Sequence, residues 1–320
     1  MKTFWRGTAA VVVLVLACGF IFYRYPLWVN DQVIRYHLWR SGVRSAYVEV
    51  DGNRVHYFEA KPPNGSAGIP LVLVHGLGAR GEDWSRMIPA LAAKGFHVYV
   101  PDLLGYGRSA KPDVSYSITM EEGVAVDYMH AMGLLRADVD GWSMGGWIAA
   151  KLALDHPEMV DRLVLDDSAG LTFKPTFDRT AFVPANPVAL TRLISMLSPK
   201  PRVLPGFVVQ ATLRRVAKMG WVVQRSMDSM EAGGDLLDSR LGGITQPTLI
   251  VWGMQDNLIP VSVGEQMHRD IRGSNFVGIS GCGHLAAEEC SKPVLAATIQ
   301  FLRSQPPLEG VQTLLAGTPH

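Results

Sequence analysis

A serine at position 143 lies among glycines in Asp140-Gly141-Trp142-Ser143-Met144-Gly145-Gly146. An aspartate at 256 follows Trp252-Gly253-Met254-Gln255, and a histidine at 284 follows Gly281-Cys282-Gly283. A serine hydroxyl is a weak nucleophile at neutral pH. It needs an imidazole to take its proton, and the imidazole needs a carboxylate to hold its tautomer and stabilise its charged form. Ser143, Asp256 and His284 form a set in which every member follows a short strand-like run. Asp166 and Asp167 also follow such a run and compete with Asp256 for the role of acid. Attack on a carbonyl further requires donors for the oxyanion. The N–H of Met144, at the start of a helical run, is one. The loop His75-Gly76-Leu77-Gly78 offers a second through the N–H of Leu77, and His75 itself reads as structural.

These residues need elements to hold them. Arg136–Val139 reads as a strand and Trp147–Leu154 as a helix, so Ser143 would occupy the sharp turn between them. Gly141 and Gly145 let the backbone pass closely on either side. Leu71–Val74, Phe96–Val100, Arg162–Leu165, Thr248–Trp252 and Asn275–Ile279 are short apolar runs, as expected of strands buried on both faces. Helical patterns separate them at Glu82–Ala93, Ile118–Leu134, Val261–Ile271 and Val294–Arg303. That alternation predicts a mostly parallel sheet with helices on both faces. In such a sheet the strands' carboxyl ends line one crevice, which would collect Ser143, Asp256 and His284. Tyr47–Val50 and Val55–Ala60 read as a hairpin around Asp51-Gly52-Asn53.

The alternation breaks after residue 170. Residues 171–243 carry helical runs rich in Met and Leu and no buried strand, which predicts a helical cap inserted in a core spanning 46–170 and 244–304. Residues 305–320 are rich in Pro and Gly and are expected to be a flexible tail. At the other end, an apolar run from Thr8 to Tyr23 follows Lys2 and Arg6, with Trp5, Tyr25 and Trp28 beside it. Residues 1–28 therefore read as an uncleaved membrane anchor, with a cleaved signal peptide as the competing expectation. The basic residues before the run place the body outside the cytoplasm, although Arg24, Arg35, Arg40 and Arg44 oppose that orientation. Residues 29–45 read as a linker or interfacial helix.

Composition excludes other classes. Hydrophobic residues make up 48% and charged residues 18%, which argues against disorder. A net charge of +1 carries no nucleic-acid signal. Cys18, Cys282 and Cys290 are too few for a disulfide framework and lack zinc-ligand spacing. Cys282 and Cys290 are expected as buried free thiols. No motif calls for a cofactor or a metal, and oligomeric state is not readable.

Several of these motifs together resemble the α/β-hydrolase superfamily. They are His75-Gly76-Leu77-Gly78, Asp102-Leu103-Leu104-Gly105-Tyr106-Gly107-Arg108-Ser109, Gly141-Trp142-Ser143-Met144-Gly145-Gly146, Gly253-Met254-Gln255-Asp256 with Pro260, and Gly281-Cys282-Gly283-His284. The resemblance runs from about Tyr47 to Arg303. It implies an α/β-hydrolase fold with a mostly parallel eight-stranded sheet. Within the superfamily the chain is similar to membrane-anchored monoacylglycerol-lipase-like members. These share an N-terminal anchor, a G-x-S-M-G-G elbow and a strand end like Asp167-Ser168-Ala169-Gly170-Leu171. One departure is that three residues separate Glu289 from Pro293, a slightly longer turn than the family pattern.

The resemblance implies hydrolysis of a carboxylic ester, lipid-like or monoacylglycerol, through an acyl-enzyme. The alternative is cleavage of a carbon–carbon bond in a vinylogous diketone, as in ring-cleavage-product hydrolases, which also carry S-M-G-G elbows. Those tend to have a longer Gly-rich oxyanion loop. A non-catalytic binding protein would not need the complete set of three residues. Dehalogenases and epoxide hydrolases use an aspartate where this chain has Ser143.

Overall fold

The computed structural model describes residues 2–317. Met1, residues 318–320 and the side chains of residues 2–10, Trp5 among them, and of Val12 lie outside the described set. Two helices, α1 (Lys2–Arg24) and α2 (Pro26–Arg40), precede the hairpin β1 (Arg44–Val50) and β2 (Asn53–Ala60). Asp51 and Gly52 both take positive φ, 44° and 70°, which is the tight hairpin turn that Asp-Gly favours. Next come β3 (Ile69–Val74), α3 (Ile88–Ala93), β4 (Phe96–Pro101), α4 (Ile118–Ala131), β5 (Ala137–Trp142), α5 (Met144–Asp155) and β6 (Val160–Asp166). Two further helices, α6 (Pro187–Leu197) and α7 (Gly206–Glu231), fill the insertion before β7 (Thr248–Gly253). The chain closes with α8 (Val261–Asp270), β8 (Asn275–Ser280), α9 (Ala286–Glu289), α10 (Ser291–Arg303) and β9 (Gln312–Ala316).

The strands form one sheet in the order β1-β2-β4-β3-β5-β6-β7-β8-β9. β1 and β2 pair antiparallel, as do β2 and β4, and every later pairing is parallel. Side chains alternate across the sheet. Leu71 and Leu73 enter one apolar layer with Val98, Val100 and Phe301, whereas Val72 and Val74 enter the other with Val139, Ile148 and Leu165. Each fully buried Val or Leu contributes about 1.5–3 kcal/mol. Burial on both faces explains why these strands read as unbroken apolar runs.

The sheet has nine strands rather than the expected eight, and the extra one comes from the segment expected to be a flexible tail. β9 pairs with β8 from Phe276↔Gln312 to Ser280↔Ala316. Four of its five side chains are exposed and Leu315 is half-buried, so its pairing rests on backbone hydrogen bonds. The helix expected over Glu82–Ala93 is also interrupted: a single 3₁₀ turn covers Gly81–Trp84 and α3 starts at Ile88. Pro89 accounts for the break, because inside a longer helix its ring would clash with the carbonyl of Ser85.

Among the described residues, no single helix is long and apolar enough to cross a membrane. Val13–Arg24 and α2 satisfy the length and composition of a span only as a pair bent by 104°. α2 packs by one face against the body, burying Leu38 and Asp31, and leaves Trp28, Tyr36 and Trp39 exposed on the other.

Candidate active site

The order of strands reverses around β3, which lies between β4 and β5. Crevices in open α/β sheets form at such a point. The loop after β3 carries Leu77, and the turn after β5 carries Ser143. Gly76 touches the nucleophile's side: a Cβ built there would lie 3.0 Å from the Cβ of Ser143. Ser143 takes φ 56° and ψ −119°, a region costly to any residue with a Cβ, by about 1–3 kcal/mol. Surrounding contacts hold it there. Its N–H donates to the carbonyl of Asp166 (2.9 Å), and its carbonyl accepts from the N–H groups of Gly146 (3.0 Å) and Ala169 (3.0 Å). A Cβ on Gly141 would collide with the carbonyl of Gly145, and one on Gly145 with the carbonyl of Val74. The turn therefore closes only with glycine at both positions.

The structure brings the three expected side chains together. Ser143 Oγ lies 2.9 Å from His284 Nε2, and His284 Nδ1 lies 2.7 Å from Asp256 Oδ2. The other oxygen of Asp256 accepts from the N–H groups of Leu258 (2.7 Å) and Ile259 (2.9 Å), which orients the carboxylate toward the ring. Trp142 Nε1 donates to the carbonyl of His284 (2.8 Å), tying the histidine loop to the elbow. Ser143, Asp256 and His284 are 8%, 8% and 2% exposed, so the line of hydrogen bonds is shielded from bulk water. The N–H of Met144 opens α5, where no earlier carbonyl of the helix can accept it.

Asp167, one of the two rivals for the acid role, points elsewhere. Its Oδ1 accepts from the N–H of Gly253 (2.7 Å), at the base of the loop that carries Asp256. Burial raises the carboxyls of Asp140, Asp166 and Asp167 above their ordinary range; repulsion from Asp166 adds to this at Asp140, and repulsion from Asp256 and then Asp166 adds to it at Asp167. A carboxyl whose charged form is disfavoured in this way is a poor charge-stabilising partner for an imidazolium.

His75 is fully buried and sits behind the loop. Nδ1–H donates to the carbonyl of Gly76 (2.9 Å), and Nε2 accepts from the N–H of Leu103 (3.0 Å). Burial lowers its pKa, so it is a neutral strut between the loops after β3 and β4. The Asp102 motif is likewise scaffold. Its carboxylate accepts from the N–H groups of Gly81 (2.7 Å) and Arg108 (2.8 Å) and bonds His56 Nδ1 (2.8 Å). Burial alone would raise this carboxyl, but the bond to His56 and the charges around it hold it below the ordinary range.

Cys282 and Cys290, expected as free thiols, are disulfide-bonded, with Cα atoms 6.4 Å apart. The short helix α9 turns the chain back so that both side chains reach the same buried spot. The bridge closes the segment that contains His284.

A 2-hydroxy-6-oxo-6-(2'-aminophenyl)hexa-2,4-dienoic acid hydrolase of Metapseudomonas resinovorans is 30% identical over 282 residues, covering 81% of this chain and 92% of that protein. Lipase 1 of Psychrobacter immobilis is 28% identical over 275 residues, covering 81% and 84%. Among solved structures, a membrane phospholipase A described as a bacterial virulence factor superposes with a TM-score of 0.78 at 27% identity, covering 94% of this chain and 98% of that one. The sequence profile described as alpha/beta hydrolase fold matches residues 69–289, which include the loop after β3, the elbow at Ser143, Asp256 and His284. With the sheet, its reversal at β3 and the elbow all in place, that match makes the chain a member of the α/β hydrolase family.

Proposed function

We propose that the chain is a serine hydrolase of carboxylic esters, with monoacylglycerols or similar lipid-like esters as its substrates. The observation that carries this reading is the continuous hydrogen-bonded line from Ser143 through His284 to Asp256. Ser143 Oγ attacks the ester carbonyl carbon as His284 Nε2 takes its proton. The N–H groups of Leu77 and Met144 bind the oxyanion that develops. His284 then returns the proton to the leaving alcohol, leaving an acyl-serine. A water, deprotonated by the same nitrogen, releases the acid. Asp256 holds the ring and stabilises its cationic form throughout.

The lipid part rests on the apolar character of the helical insertion. Phe173, Phe177, Phe182, Val183, Met196 and Met227 from the helical insertion pack onto the core layer that contains Met144. A lipase and a membrane phospholipase A among its relatives point the same way. The exposed apolar side chains of α1, among them Val13, Leu14, Leu16 and Phe20, support an N-terminal membrane anchor. Lys2 and Arg6 before that run, and the Cys282–Cys290 bridge, favour a body outside the cytoplasm, in an oxidising compartment.

The second reading, carbon–carbon hydrolysis, is supported by the relative named as a dienoic acid hydrolase. A series of monoacylglycerols and simple esters of increasing acyl length separates the readings. Each buried methylene contributes about 0.8 kcal/mol, so kcat/KM should rise by up to about fourfold per methylene until the pocket is full. An acyl chain of ~8 carbons should be strongly preferred to acetyl on the same scale. Preference for acetyl, or turnover of vinylogous diketones alone, would reject the lipid-ester reading.

A further inference from the structure

One carboxylate joins three parts of the molecule that are far apart in sequence. Asp31, on the buried face of α2, receives two hydrogen bonds from Arg80: Nη2 to Oδ1 at 2.6 Å and Nη1 to Oδ2 at 3.2 Å. Its Oδ2 also accepts from Arg215 Nη2 of α7 at 2.8 Å. Burial alone would raise the Asp31 carboxyl. The hydrogen bonds and charge of Arg80, and then of Arg215, outweigh it and keep the group ionised. Arg80 ends the loop that carries Leu77. At one end of that loop Gly76 lies beside Ser143, where an added Cβ would come within 3.0 Å of the serine's, and at the other the N–H of Gly81 is held by Asp102 Oδ1. Between these points the backbone bonds are Ala79 N–H to the Gly76 carbonyl (3.2 Å), which also accepts from His75 Nδ1 (2.9 Å), and the reciprocal pair of Arg80 N–H to Asp83 Oδ2 (2.9 Å) and Asp83 N–H to the Arg80 carbonyl (3.0 Å). The guanidinium of Arg80 ties the loop to α2 through Asp31, which receives it in a two-pronged geometry, while Arg80 Nε also lies 3.7 Å from Glu82 Oε2. Arg35 of α2 bonds Glu82 just beyond (2.9 Å), so the same helix grips the loop's exit as well. On the other side, a Cβ at Gly78 would meet Val223 of α7 at 3.9 Å.

We propose that Asp31 is a positioning residue for the oxyanion hole. Through Arg80 it sets the place of the Leu77 N–H, and through Arg215 it ties that place to the seating of α7 and of the N-terminal helix pair. The proposal rests on the serine-hydrolase reading and deepens it: α2 becomes part of the apparatus that builds the site rather than a spacer behind the anchor.

The test uses the full chain and a fluorophosphonate probe, whose reaction with Ser143 depends on the same N–H groups and needs no knowledge of the substrate. Misplacing one of two oxyanion donors should cost part of the 10²–10³-fold lost on removing one outright. Asp31→Asn should therefore lower the phosphonylation rate constant, and kcat per labelled site, by about tenfold, with KM held within about twofold. Arg80→Lys keeps the charge but loses the fork, and should show the same pattern if Asp31→Asn folds poorly. Leu38→Ala loosens the packing of α2 without touching the ion pairs, so it should lower Tm and leave both rate constants unchanged. Unchanged rates in Asp31→Asn and Arg80→Lys, or an equal rate loss in Leu38→Ala at the same drop in Tm, would overturn the proposal. A wild-type chain that reacts with the probe but turns over no ester would refute the ester reading alone. A wild-type chain that does not react with the probe would remove both.

Discussion

Ser143→Ala should abolish turnover, with kcat falling by up to about 10⁶-fold, the scale seen when a triad nucleophile is removed. The variant should fold. Alanine deletes only the hydroxyl, and the backbone at φ 56° is held by the same three hydrogen bonds from and to its neighbours. Circular dichroism and Tm close to wild type, together with loss of fluorophosphonate labelling, are the expected results. Labelling that persists in the alanine variant would mean that another residue is the nucleophile. Residual turnover of 10³–10⁴-fold over water would still be consistent, because the oxyanion donors and substrate binding remain.

Asp256→Asn should cost about 10⁴-fold in kcat. The amide keeps the size of the side chain but removes the charge opposite His284 Nδ1, 2.7 Å away, and favours the wrong tautomer of the ring. Asp167→Asn is the matched control. Burial already disfavours the charged form of Asp167, and an amide oxygen still accepts the N–H of Gly253, so the loss should stay within about fivefold. The two variants are compared by kcat on one ester at neutral pH. A severe loss in Asp167→Asn beside a mild one in Asp256→Asn would reverse the assignment.

The candidate site was legible because its chemistry sits in local patterns. Ser143, Asp256 and His284 each follow an apolar strand and have a glycine within three residues, so order and spacing alone brought them to one edge of the sheet. What remained hidden depends on distant partners or on exposed surfaces. Asp31 stands in Asn30-Asp31-Gln32 like any polar residue of a helix, and its partners lie 49 and 184 residues away. The His56–Asp102 pair spans 46 residues and carries no periodic signal. β9 pairs through its backbone while showing solvent four of its five side chains, so neither alternation nor an apolar run announces it. The Cys282–Cys290 bridge depends on the turn made by α9, which a spacing of eight residues does not specify. The break before α3 was readable in principle, since Pro89 forbids the helix that the apolar spacing of Trp84, Met87, Ile88 and Leu91 suggests.

The central claim, that the chain cleaves esters through a covalent acyl-serine, is tested most directly by intact-mass measurement after rapid mixing with an octanoyl ester and acid quench. The account predicts a transient species heavier than the free chain by one octanoyl group, mapped to the peptide containing Ser143, absent from Ser143→Ala, and accumulating before steady state. Ester turnover without any acyl adduct, or an adduct on a peptide other than that of Ser143, would contradict it.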